Sequence, residues 1–240
     1  MFRTVALIGM VLLLAGSSAR ADLVITKSAT APGGPDVLLA FDTEADGSQN
    51  YFTIARGGGS SGVGGGESAY GQTFRFDQPI LLDKITLKVR IKPGQDVSGK
   101  SLLLWFGRGF TGQTSSGMSS LLIDEEAALP AGMGTAGDVW YLTADIEDQQ
   151  LEAGLTYAFL PRFGTGGGGS VHPEMEVGFL GTYAYDGGAA FTFDGTGYST
   201  ILNNEMAFAL HGTAVPEPGT LGLTAFAAAA SVGLRRRRTP

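Results

Sequence analysis

The sequence predicts an all-β chain, an antiparallel β-sandwich of jelly-roll-like type. Three observations predict it. Glycine supplies 38 of 240 residues and charged residues only 16%. Short apolar runs recur between clusters of Gly, Pro, Ser, Asn and Asp, the pattern of strands joined by turns. No helix-period segments alternate with those runs, as a parallel α/β sheet would require. About nine or ten strands are expected, with no internal repeat.

Taken in order, residues 1–21 read as a signal peptide. Arg3 supplies the basic start, Val5 to Ala15 the apolar stretch, and Ala19-x-Ala21 the small side chains a signal peptidase accepts. Residues 22–214 form the predicted sandwich domain. Leu23 to Thr26 suggests a first strand, and Ala31 to Pro35 a loop. Val37 to Thr43 and Tyr51 to Arg56 suggest two strands around a polar turn. Gly57 to Gly66, with seven glycines in ten residues, is a loop. Tyr70 to Phe76 places Gln72, Phe74 and Phe76 on one face of a strand.

The clearest strand is Ile80 to Lys92. Ile85, Leu87, Val89 and Ile91 share one side; Lys84, Thr86, Lys88, Arg90 and Lys92 share the other. Period two of this kind predicts one buried and one wet face. Ser101 to Arg108 is nearly all apolar and reads as a central strand covered on both faces. Ser119 to Leu129 reads as the domain's one short helix. Asp138 to Ile146, Leu155 to Phe163, Met175 to Tyr185, Ala189 to Asp194 and Glu205 to Gly212 complete the strands. Gly166 to Gly169 is a second glycine loop.

The formal net charge is −7, but it is unevenly placed. Six of the 16 basic residues lie outside 22–214 (Arg3, Arg20 and Arg235 to Arg238), as does one of the 23 acidic residues, Glu217. The domain therefore keeps 10 basic and 22 acidic residues, a net charge of −12. Such a surface repels phosphate backbones and argues against nucleic-acid binding. The absence of cysteine excludes disulfides, thiolate metal sites and a cysteine nucleophile.

Few residues suggest chemistry. Asp42, Glu44 and Asp46, followed by Gly47, resemble the front of a calcium loop, but Thr53 stands where the twelfth-position acid belongs. A solvated hairpin turn is the simpler account, so calcium is a candidate and no other cofactor is expected. Asp124, Glu125 and Glu126 could supply a glycosidase's carboxylates, though acids at a helix start explain them as well. His172 and His211 lack metal-ligand spacing with each other. Most of the aromatics, Tyr51, Phe52, Trp105, Phe106, Phe110, Trp140 and Tyr141 among them, suit a core. Tyr183, Tyr185 and Tyr198, near glycine-rich segments, are the better candidates for stacking on sugar rings.

The C-terminus, 215–240, carries the most specific pattern. Pro216-Glu217-Pro218 precedes a 15-residue apolar run, Thr220 to Leu234, and four arginines, Arg235 to Arg238, close it. These three parts in this order resemble a PEP-CTERM sorting signal. The resemblance implies recognition of Pro216, Glu217 and Pro218 by an exosortase, with cleavage nearby. Arg235, Arg236, Arg237 and Arg238 would act as the stop that holds a transmembrane sorting helix in the cytoplasmic membrane. The run is short against the roughly 20 residues of a full span, which suits a temporary anchor. The implied destination is the surface or surroundings of a Gram-negative-type bacterium that makes exopolysaccharide. The middle of the chain is similar, through Gln72-Thr73-Phe74 and Met206 to Gly212, to exported β-sandwich domains that resemble carbohydrate-binding jelly rolls. A non-enzymatic, polysaccharide-associated or structural module is therefore expected. The alternative is a secreted carbohydrate-active enzyme, a glycosidase or lyase on a jelly-roll fold.

Overall fold

The computed structural model describes residues 22–41, 49–55, 68–110, 118–133, 137–163, 174–180, 187–194, 198–200 and 204–216. Their secondary structure is β throughout. In chain order the strands are β1 (Val24–Ser28), β2 (Val37–Phe41), β3 (Gln49–Ala55), β4 (Ala69–Arg75), β5 (Ile80–Ile91), β6 (Ser101–Arg108) and β7 (Ser120–Ala128). There follow β8 (Val139–Leu151), β9 (Thr156–Phe163), β10 (Glu174–Leu180), β11 (Ala190–Phe193), β12 (Tyr198–Thr200), β13 (Glu205–Met206) and β14 (Phe208–Ala214). They form two sheets, and every pairing is antiparallel.

The first sheet is built on β5. One side of β5 carries β8, with β1 beyond it. The other side is divided. Residues 80–87 pair with β14, which carries β2; residues 89–91 pair with β10, which carries β3 and β13. The sheet forks between these branches. Ala207, at the fork, donates its N–H to Gly178 O (2.8 Å) and accepts from Lys88 N–H (3.1 Å). The second sheet runs β12-β11-β4-β9-β6-β7.

The inner faces meet in one apolar core. Ile80, Leu82, Ile85, Leu87, Val89 and Ile91 of β5 all belong to it. Strict alternation from Leu82 would turn Lys84 inward; a bulge between Leu82 and Lys84 adds a residue and restores the phase. Gly212 lies opposite that bulge. A side chain there would place its Cβ 2.0 Å from Leu81 O, so the close approach of β14 needs glycine. From the second sheet come Phe74, Phe106, Tyr157 and Phe159, whose rings pack on one another. Each large apolar side chain removed from water contributes about 1.5–3 kcal/mol.

Topology also covers part of the first sheet's outer face. β1 lies at one edge and β2 at another, so the segment between them must cross β8, β5 and β14. Ala31 and Pro32 of this crossing wall a small cavity floored by Thr86, Lys88 and Tyr141. Thr86 and Lys88 are each only 1% exposed. The expected wet face of β5 is thus dry in its middle, and Lys88 lies over the Tyr141 ring, 5.7 Å from its centre.

Two further expectations are corrected. The segment expected as a helix is strand β7, paired with β6 from Ser101↔Ala128 to Arg108↔Ser120. β6 lies next to the edge of its sheet rather than at its centre, and its outward residues Leu103 and Trp105 are only half-buried. The signal-peptide residues, Ala19 and Ala21 included, and positions 217–240, including Glu217, Pro218 and Arg235 to Arg238, lie outside the described residues. Pro216 is described and exposed.

Candidate functional site

The outer face of the second sheet holds a separate apolar cluster. Ala69 of β4, Ala158 and Leu160 of β9, and Phe191 and Phe193 of β11 form its buried part. Trp105 of β6, Phe110, Met118 and Tyr198 of β12 pack on it, half-buried. Small residues on the middle strands let the flanking rings lean inward. Phe191 lies opposite Gly71, and a Cβ on Gly71 would be 2.2 Å from its ring. Phe193 and Tyr198 are a cross-strand pair with ring centres 4.9 Å apart. Trp105 and Phe193 start three strands apart, yet their ring centres are 5.9 Å apart.

Charged groups are set into this aromatic face. Arg162 of β9 pairs with Leu103, one step diagonal to Trp105. Its guanidinium lies 4.0 Å from the centre of the Trp105 ring and 4.9 Å from that of Phe193. Asp124 of β7 stands directly opposite Trp105 and accepts a hydrogen bond from its indole N–H at 2.8 Å. The next acid on the same side, Glu126, accepts from the Ser101 hydroxyl. A row of acid, indole, guanidinium and ring therefore crosses the sheet from β7 to β12, ending at Tyr198. It offers ring surface for sugar CH groups, and donors and acceptors for hydroxyls.

The first sheet's outer face carries a hydrogen-bonded polar row instead. Asp36 Oδ2 is 3.3 Å from His211 Nδ1, His211 Nε2 is 2.9 Å from Thr86 Oγ1, and Thr86 Oγ1 is 2.8 Å from Thr143 Oγ1. Neutral His211 fits if Nδ1–H donates to Asp36 and Nε2 accepts from Thr86. A hydrogen bond from its own backbone and then the bond from His211 hold Asp36 below the usual carboxylate range. The order acid–imidazole–hydroxyl is that of a hydrolase triad. However, Thr86 is buried mid-strand beneath the β1–β2 crossing, and the cavity beside it holds about 30 Å³, room for one or two waters. The row ties the crossing to β14, β5 and β8.

Between the sheets, Gln72 of β4 reaches β13. Its carbonyl accepts from Met206 N–H (3.0 Å), and its amide donates to Thr73 O (3.1 Å) and to Glu205. Glu205 is wholly buried, and its Oε1 has no hydrogen-bond partner among the described residues. Burial pushes its carboxyl up to about 7, against the pull of the Gln72 amide.

The residues singled out from sequence are dispersed. Tyr198 lies in the aromatic row; Trp105 and Phe110, expected in the core, lie half-buried on this outer face instead, while Phe106 and Tyr141 are buried. His211 is structural, Asp124 bonds Trp105, and Tyr183, Tyr185, His172, Asp42, Glu44 and Asp46 lie outside the described residues. Among the described residues no group of three acidic or histidine side chains is placed to hold a metal ion. Arg162 and Phe193 were not singled out. The alternations Ala158-x-Leu160-x-Arg162 and Phe191-x-Phe193 are the signal that could have marked them.

No protein-family model and no curated protein matches the chain. Among solved structures, the chain is similar to the cysteine protease and lectin-like domains of a surface layer associated protein of Clostridium difficile. Identity is 12% and the TM-score 0.39, over 62% of this chain and 33% of that one. The chain thus spans about a third of that protein's length, and a likeness of this size carries no argument about fold or function.

Proposed function

We propose that this chain is an exported, non-enzymatic, jelly-roll-like sandwich that associates with a neutral polysaccharide at the cell surface. One observation carries the reading: the row Asp124, Trp105, Arg162, Phe193 and Tyr198 across the outer face of the second sheet. Rings give a dispersive platform for the CH faces of sugars, while Asp124, Arg162 and the Tyr198 hydroxyl bring polar atoms to the same surface. The charge argues for a neutral ligand. The domain's net charge is −12, acids border the row, and its one arginine already lies against two rings. A polyuronate or sulfated chain would be repelled.

Delivery follows the sorting reading. Signal peptidase removes 1–21, an exosortase recognises Pro216, Glu217 and Pro218, and Arg235 to Arg238 hold the sorting helix in the membrane until cleavage. Loss of that tail leaves the acidic domain alone. Replacing Pro216, Glu217 and Pro218 by alanine tests this half: C-terminal trimming and surface display should cease. Unchanged trimming would refute it. Affinity electrophoresis of the exported protein through neutral and anionic polysaccharides tests the other half. Retardation is expected in at least one neutral gel and in no anionic one; mobility unchanged in every neutral gel would overturn it.

A further inference from the structure

The Gln72–Glu205 contact sits where three parts of the fold meet. Gln72 belongs to the second sheet, Glu205 begins the strand segment that enters the fork of the first, and β10 flanks it through Leu180↔Glu205 and Phe179↔Met206. The carboxyl is wholly buried and, among the described residues, is given one donor, the Gln72 amide, while its second oxygen meets none. An ionised carboxylate out of water needs two or three donors or a cation to be tolerated. A protonated one needs far less, and Oε1 is where the proton would sit.

No charge faces it among the described residues. On β4 the neighbouring inward group is Tyr70, packed on Phe52 and Phe179, and Arg75 lies exposed at the strand's end. On β10, Glu176 bonds Arg90 at 2.6 Å. On β14, His211 turns to Thr86. Burial alone raises the carboxyl's affinity for its proton.

We propose that Glu205 and Gln72 form a proton-operated clasp between the two sheets. It is closed while the carboxyl is protonated. On ionisation it loosens, and the segment from Glu205 through Ala207 parts from β4 and from the fork. The device is independent of what the outer face of the second sheet binds.

The sign follows from the two states. The unfolded carboxyl titrates near 4.5 and the folded one near 7. Below 4.5 both are protonated and the clasp's full stabilisation is present. As pH rises from 4.5 to 7 only the unfolded chain ionises, so stability falls; above 7 it levels. The folding equilibrium falls by at most about 300-fold across that window.

The test uses the full chain and Glu205→Gln, an uncharged mimic of the protonated acid. Denaturant melts from pH 4.5 to 8 should show the decline in the parent and a nearly flat profile in E205Q. Hydrogen exchange, corrected for intrinsic rates, should show the Lys88 and Ala207 amides losing about tenfold or more of their protection above pH 7 in the parent alone. An E205Q profile as steep as the parent's, or protection at the fork that ignores pH, would overturn the clasp. If E205Q does not fold, carbon NMR of the parent's glutamate carboxyls decides: one should titrate near 7, and all titrating near 4.5 would refute it.

Discussion

Gln72 and Glu205 lie 133 residues apart in sequence, yet among the described residues the amide of one is the sole hydrogen-bond donor to the buried carboxyl of the other. The same amide group takes the Met206 N–H, so one side chain satisfies two buried groups of β13. Gln72→Ala should therefore cost about 2–4 kcal/mol, the penalty of leaving buried polar groups unmet. Glu205→Met combined with Gln72→Met should recover only part of it, because the carboxyl leaves with its donor while the Met206 N–H stays unmet. Urea denaturation of the single and double variants measures both effects.

Gly71 is fixed by Phe191, whose ring would lie 2.2 Å from an added Cβ, with Phe159 O at 2.5 Å. The ring can shift but the backbone oxygen cannot. Gly71→Ala should lower stability by about 1–3 kcal/mol and displace Phe191 from the aromatic face. Thermal melts report the first. The ring resonances of Phe110 and Tyr198, which touch Phe191, report the second.

Asp36 joins the β1–β2 crossing to His211. Its carboxyl lies below the usual 3.8 when folded, so the unfolded chain binds its proton more tightly. The stability it contributes is present above about pH 4 and is lost as pH falls through the folded value. Asp36→Asn should flatten the acid limb of a plot of Tm against pH. An acid limb as steep as the parent's would show that other carboxylates account for it.

Trp105 carries two separable features, a ring beneath Arg162 and an N–H on Asp124. Trp105→Phe keeps the platform and loses the hydrogen bond; polysaccharide affinity should fall by about tenfold or less. Trp105→Ala loses both and should abolish retardation in a neutral gel. Its fold should survive, because the residue is half-exposed. Circular dichroism of both variants provides the control.

Much of the sandwich is legible in the sequence because strands announce themselves by period two. Ile85, Leu87, Val89 and Ile91 face the core as that pattern requires. The pattern fails at Thr86 and Lys88, which are dry because a segment from another edge of the sheet crosses them; nothing local marks such a crossing. β7 was hidden differently. Ile123, Glu125, Ala127 and Leu129 alternate inward, but Leu, Glu and Ala also favour helix, and the pairing with β6 outweighs that preference. The aromatic row was half visible. Tyr198 attracts notice by its type and neighbours, whereas Trp105 reads as core from sequence, and Arg162 and Asp124 join the row only through register between strands distant in sequence.

The most direct measurement uses the tryptophans themselves. The chain has two: Trp105 on the outer aromatic face, and Trp140, packed at the margin of the core with the Lys27 ammonium 4.5 Å from its ring. Trp140→Phe leaves Trp105 as the one reporter. Titrating that variant with the neutral polysaccharide that retards the parent should shift its emission to the blue and saturate, as sugar rings replace water on the indole. Emission that stays fixed while the polysaccharide still binds would place the binding surface elsewhere and contradict the account.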